Sequence, residues 1–126
     1  MSPSRHGEAE RRAAHKRGTR AESLCLWQLR LKGYRLLARR YRTPVGEVDL
    51  IVRRGGVIAA VEVKARGDVV VAGEAVSPNQ RRRVARALTH FLAGRPDLAR
   101  LACRFDVMLV APRRWPVHVV DAWQEQ

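Results

Sequence analysis

Lysine is nearly missing from a chain crowded with arginine: of 25 basic residues, only Lys16, Lys32 and Lys64 are lysines. Cysteine is as scarce. Cys25 and Cys103 are too few for a disulfide framework and too far apart for a zinc knuckle, so both are expected to be reduced and buried. His6, His15, His90 and His118 are scattered and show no metal-ligand spacing. Aromatic residues make up only 6% of the chain, and no aromatic platform is evident. Base stacking is open to Trp27, Trp115 and Trp123, and core or edge packing is the use expected of them. No apolar run approaches the ~20 residues of a membrane span. Met1 to Arg20 is polar and charged, which excludes a secretory signal peptide, and Glu8 and Glu10 argue against an organelle transit peptide. A cytoplasmic protein with no membrane partner is expected.

Acidic residues are also few, 12 against the 25 basic ones, so the net charge is +13. Such a chain is drawn to polyanions, with nucleic acid as the first expected partner. The 126 residues suffice for one domain with a core and are too few for two. Residues 1–20 read as a basic, disordered arm and residues 21–126 as the single domain.

Against this background the few acids stand out by position. Gly46-Glu47-Val48-Asp49-Leu50-Ile51 is one apolar run carrying an acid, and Val61-Glu62-Val63-Lys64 is the next. Between them lies Arg53-Arg54-Gly55-Gly56, a turn signal, because primed hairpin turns need positive φ at their central residues. A Gly55-Gly56 loop pairs Arg54 with Val57, Val52 with Ala59 and Leu50 with Val61, and it sets Asp49 opposite Glu62. Cross-strand partners share a face at ~5 Å. Lys64 falls on that face too, opposite Glu47, since strand side chains alternate with period two. Two carboxylates and an ammonium gathered this way suit divalent-metal and phosphate chemistry. Opposed carboxylates repel and destabilise a sheet unless a cation lies near. A solvated charged face, or a one-residue slip that separates the acids, stay open on spacing alone.

The rest of the chain reads as helix, strand, strand, strand, helix, strand, strand. Ala21 to Lys32 is helix-compatible and Gly33 is its stop. Glu22, Cys25, Leu26 and Leu29 fall on one helical stripe, although a carboxylate in a first turn is also favoured by the helix dipole. Tyr34 to Tyr41 is the first strand, followed by the hairpin of Glu47 to Val52 and Val57 to Ala65. Arg66 to Val76 is a loop, with an extended piece at Val69 to Val71 or a fold over the site as options. Ser77-Pro78-Asn79-Gln80 starts a helix, with Ser77 as N-cap and Gln80 completing a capping box. Arg81, Arg82, Arg83 and Arg86 crowd its first turns, and it stops near Gly94 and Pro96. Arg104 to Val110 and Val117 to Ala122 are the late strands. This order predicts an α/β fold with a mixed sheet flanked by helices.

Gly46 to Ile51, Val61-Glu62-Val63-Lys64-Ala65-Arg66 and Arg104-Phe105-Asp106-Val107 resemble the signature segments of the bacterial YraN-like family. That family is placed among endonucleases of the restriction-endonuclease-like superfamily, whose motif is written PD-(D/E)-x-K. The resemblance covers roughly Glu22 to Val110 and implies a core of order αβββαβ, here with an added C-terminal strand. It implies that Asp49 and Glu62 are catalytic and bind metal, that Lys64 is the catalytic lysine, and that Glu22 is a further metal-side acid. Glu47 and Gln80 become supporting candidates. Val48 stands where the superfamily has proline. The family often has lysine where this chain has Gln80, and the capping box explains that glutamine without a catalytic role. Asp106 is read as paired with an arginine.

On these grounds the expected function is a Mg²⁺- or Mn²⁺-dependent endonuclease acting on DNA, ahead of RNA, and on branched or irregular DNA in particular. Arg81, Arg82, Arg83, Arg86 and Lys64 are the candidate nucleic-acid contacts, a salt-sensitive and sequence-independent term. Unshielded repulsion between Asp49 and Glu62 should raise at least one of their pKa values. The competing function is a nucleic-acid-binding module on a nuclease fold, with weak cleavage or none. A basic scaffold that binds polyanions without using the acids is a third. Cutting two strands symmetrically takes two sites, so a homodimer is compatible with the resemblance, although no residue marks its surface.

Overall fold

In the computed structural model, residues 20–65 and 75–125 are described. The expected basic arm, Arg20 apart, and the extended piece at Val69 to Val71 lie outside them. Helix α1 spans residues 20–31. Strands β1 (Arg35–Thr43), β2 (Gly46–Arg54) and β3 (Val57–Ala65) follow. Helix α2 (Pro78–Ala93) and a short 3₁₀ turn (Pro96–Leu98) lead to β4 (Ala102–Val110) and β5 (Val117–Trp123). The strands lie in the order β1-β2-β3-β4-β5. All neighbours are antiparallel except β3 and β4, which run parallel across the α2 crossover. The mixed α/β sheet and the element order are those read from the sequence. Among the described residues no helix is long and apolar enough to cross a membrane.

The hairpin turns at Gly55, whose φ is +59°, and Gly56 does not share the positive angle. That is the φ signature of a II′ turn, the primed type that glycine in its first central position permits. Both faces of the central strands are covered, so β2 and β3 read as near-continuous apolar runs. Ile51, Ile58, Val84, Leu88 and Val107 pack on the α2 side. Cys25, Leu29, Leu50, Val61 and Met108 pack on the α1 side. Gly33 ends α1 with φ +92°, a left-handed stop.

Ser77 caps α2, its Oγ accepting the Gln80 N–H at 3.1 Å. The other half of the expected capping box is absent, because the Gln80 side chain reaches into the sheet instead. Helix and sheet meet closely at Gly46. A Cβ added there would lie 1.9 Å from the Arg83 carbonyl oxygen.

Two packing expectations are corrected. Cys103 is exposed rather than buried, because it sits near the start of β4 beside the hairpin turn. Trp27 and Trp115 are exposed, one on the outer side of α1 and one in the β4–β5 turn. Only Trp123 is buried, stacked on Phe105 at 5.2 Å between ring centroids. Asp106 behaves as expected. It is fully buried, accepts two hydrogen bonds from Arg104 at 2.8 and 2.9 Å, and takes further bonds from His118 and the Asp121 N–H. Burial alone would raise its pKa, but these donors outweigh it and hold the carboxyl below its ordinary value.

Gly46→Ala should destabilise the protein by about 1–3 kcal/mol, the usual cost of forcing atoms into a packed contact. Urea unfolding measures this, and a midpoint equal to wild type would show that α2 can retreat from β2 without cost.

Candidate active site

The register of the β2–β3 hairpin is the expected one, with Arg54 paired to Val57 and Leu50 to Val61. There the backbone ladder between the two strands ends. Beyond it β2 stays paired with β1, and β3 with β4. At the fork the acids take over the ladder's work. Glu62 Oε1 accepts the Asp49 N–H at 3.2 Å, and Asp49 Oδ2 accepts the Val63 N–H at 2.8 Å. Each carboxylate thus satisfies a backbone donor that the parted strands would leave unpaired.

Gln80, on the first turn of α2, closes the arrangement. Its Nε2 donates to Glu62 Oε2 at 2.9 Å, and its Oε1 accepts from Lys64 Nζ at 2.9 Å. The chain Asp49–Glu62–Gln80–Lys64 is therefore continuous. This assigns Gln80 a place in the site rather than in a capping box.

Glu22 reaches the same cleft from α1 but faces a cation of the protein's own. Arg40 Nε lies 2.9 and 3.0 Å from its two oxygens. Glu47 is exposed and does not pair with Lys64 as the spacing suggested. Its neighbours are Arg42 at 3.9 Å and Arg83 at 3.8 Å, since Lys64 is held by Gln80. Glu22, Arg40, Arg42, Asp49, Glu62 and Gln80 are among the residues lining a cleft of about 190 Å³. Arg40 and Arg42 escaped the sequence reading. A two-residue turn at Pro44-Val45 would have revealed them, because pairing Thr43 with Gly46 sets Arg40 level with Asp49.

Of the α2 arginines, Arg82 and Arg86 are exposed. Arg81 turns back, donating to the Val76 carbonyl and lying over the Trp123 ring. Arg83 leans to Glu47. The four do not form one uniform contact surface.

Burial, ahead of the Asp49 charge, pushes the Glu62 carboxyl up to about 8. Burial raises Asp49 as well, against the opposing bond from the Val63 N–H. Behind them burial, then Asp49 and Glu22, pushes the Cys25 thiol up to about 12, so it is no nucleophile. Among the described residues no three Asp, Glu, His or Cys side chains gather as a metal-binding group. Asp49 and Glu62 nevertheless fit Mg²⁺ or Mn²⁺. They are hard oxygen donors, and such ions accept one or two carboxylates and complete their shell with water and substrate phosphate. A cation there would also offset the burial, and the neighbouring negative charge, that raise both acids. Glu22, held by Arg40, would join only after releasing it.

A profile of the uncharacterised protein family UPF0102 matches residues 21–110, which include every acid of the cleft. The chain belongs to that family. A UPF0102 protein of Parvibaculum lavamentivorans is 56% identical over 112 residues, covering 89% of this chain and 84% of its own. One from Chelativorans sp. is 53% identical over 113 residues, covering 90% and 91%. One from Methylorubrum extorquens is 50% identical over 124 residues, covering 98% and 97%. The YraN-like resemblance is thus shown at the level of family, and UPF0102 as a description assigns no chemistry.

The raised Glu62 pKa has a sign that can be tested in this UPF0102 member. The folded value of about 8 lies above the ordinary 4.5, so protonation favours the fold. That stabilisation is complete below the ordinary value and is lost as pH rises through the folded one. With a chelator present, the melting temperature should fall across this window, and Glu62→Gln should flatten the slope. Added Mg²⁺ should restore wild-type stability at the alkaline end. A wild-type profile as flat as the variant's would show that Glu62 titrates normally.

Proposed function

We propose that this protein is a metal-dependent endonuclease that hydrolyses phosphodiester bonds in DNA, with branched or irregular DNA as its preferred class. The observation that carries the reading is the buried Glu62 carboxylate set against the half-buried Asp49 and linked through Gln80 to Lys64 at a cleft edge. A purely structural pair needs only two acceptor oxygens, which amides supply without setting two acids against each other in the sheet.

Asp49 and Glu62 would hold Mg²⁺ or Mn²⁺. The ion supplies an acidified water and neutralises charge developing on the phosphodiester. Asp49 Oδ2 and Glu62 Oε1 stay anchored on backbone N–H groups, which fixes both carboxylates before substrate arrives. Gln80 holds Lys64 Nζ beside Glu62, ready to donate to a phosphoryl oxygen as its charge grows. Arg40 and Arg42 add positive charge at the cleft, and the exposed Arg82 and Arg86 neutralise flanking phosphates in a salt-dependent way.

A specific observation favours a second reading, a binding module with weak cleavage or none. The protein's own cation engages both oxygens of Glu22, and Lys64 is tied to Gln80. Such internal pairing is how a retired site would also be neutralised.

The deciding assay is Mg²⁺-dependent cleavage of labelled single-stranded, duplex, flap and four-way-junction DNA at low salt. Wild type, Asp49→Ala, Glu62→Ala and Lys64→Ala are purified identically. Cleavage should vanish in the two acid variants and drop on the order of 10²–10³-fold in Lys64→Ala, the range for removing one charge-stabilising donor. Cleavage surviving in the acid variants would be contamination and would end the nuclease reading. Binding without cleavage in Mg²⁺ or Mn²⁺ would establish the second.

A further inference from the structure

On the opposite face of the sheet from Gln80, a groove of about 530 Å³ opens between the start of α1 and the β4–β5 turn. Leu24, Ala65, Val110, Pro112 and Trp115 give it an apolar lining, and Arg20, Arg113 and Arg114 stand around it. No carboxylate lines it among the described residues. Trp115 is 57% exposed, an unusual state for so large an apolar side chain. The turn that carries it is tied to α1, since the buried Pro116, next to Trp115, offers its carbonyl to Gln28 Nε2 at 2.7 Å. A solvent-facing indole with guanidinium groups around it matches the chemistry of single-stranded nucleic-acid sites, where a base stacks on the ring and cations hold its phosphates.

The groove lies at the same end of the sheet as the acidic cleft. Ala65, in its wall, directly follows Lys64 on β3, and adjacent strand residues point to opposite faces only ~3.3 Å apart along the strand. An unpaired base can lay its face on the Trp115 ring, whereas a base inside a duplex already has both faces stacked on its neighbours.

We propose that the Trp115 groove is a stacking subsite for an unpaired nucleotide of a single-stranded DNA segment continuing from the acidic cleft. The inference rests on the nucleic-acid reading above and names the feature of the substrate that the site selects. A second copy of this chain is the poorer occupant. A two-fold contact sets the same patch against itself, and here it would bring three arginines against three.

The test is fluorescence anisotropy with labelled single-stranded and duplex DNA of equal length, in Ca²⁺ to hold off cleavage. Proteins compared are wild type, Trp115→Ala and Trp115→Phe. Trp115→Ala should weaken single-strand binding about 5- to 100-fold, the span of one base–aromatic stack, and duplex binding less than about 2-fold. Trp115→Phe should recover most of the loss, because a benzene ring still stacks. Equal losses on both DNAs, or none on either, would overturn the subsite. Wild type that binds neither DNA would instead overturn the nucleic-acid reading beneath it. Light scattering on the same samples closes the alternative: a wild-type dimer that Trp115→Ala turns into a monomer would assign the groove to self-association and sink the proposal.

Discussion

The parting of β2 from β3 after Leu50 and Val61 is the constraint on which this molecule turns. A sheet that forks in its middle leaves backbone donors without ladder partners, and each needs another acceptor. Asp49 and Glu62 fill that gap, each capping an N–H across the fork. Doing so draws both acids inward, where burial raises their pKa values. The charge strain of the site and the geometry of the sheet are therefore one feature. The fork also admits the first turn of α2, whose Ser77 cap fixes the helix while Gln80 extends sideways to both Glu62 and Lys64.

Charge is distributed to match. Arginines from β1 and α2 stand beside Glu22 and Glu47 at the cleft, and among the described residues most of the other basic side chains face outward. Asp106 shows the opposite solution to burying an acid. Arg104, His118 and a backbone N–H hold it charged, and nothing in its surroundings asks for a foreign cation. Two carboxyl sites in one sheet thus differ by their partners: Asp106 is held in its charged form, whereas burial pushes Glu62 and Asp49 toward the neutral one.

Much of the fold could be read from residue pattern because the decisive signals are local. Gly55-Gly56 set the hairpin register, and that register placed Asp49 level with Glu62. Ser77-Pro78 set the start of α2. What escaped depends on contacts distant in sequence. Gln80 satisfied a capping pattern perfectly well on paper, yet an acid and an amine lay within reach only after α2 packed at Gly46. The Lys64–Glu47 pairing failed for the same reason, since strand alternation cannot foresee a glutamine arriving from a helix. Trp27 and Trp115 were misjudged because bulk and apolarity argue for burial, while a helix's outer face and a turn leave no interior to enter. Arg40 bears no local sign of its place, because only the tight turn at Pro44-Val45 sets it level with Asp49. The parted ladder itself has no signature in composition or periodicity.

The double duty of the two acids bears on how this lineage can change. Folding needs only an acceptor oxygen at each position, and an amide supplies one. Asparagine at 49 or glutamine at 62 would still hold the fork closed over its backbone donors, at no electrostatic cost. Negative charge at both places is a separate matter, which the sheet itself does not require. The needs of a stable sheet and the needs of chemistry therefore separate at these two positions: amides would keep the architecture, whereas the acids present also bear the cost of their burial.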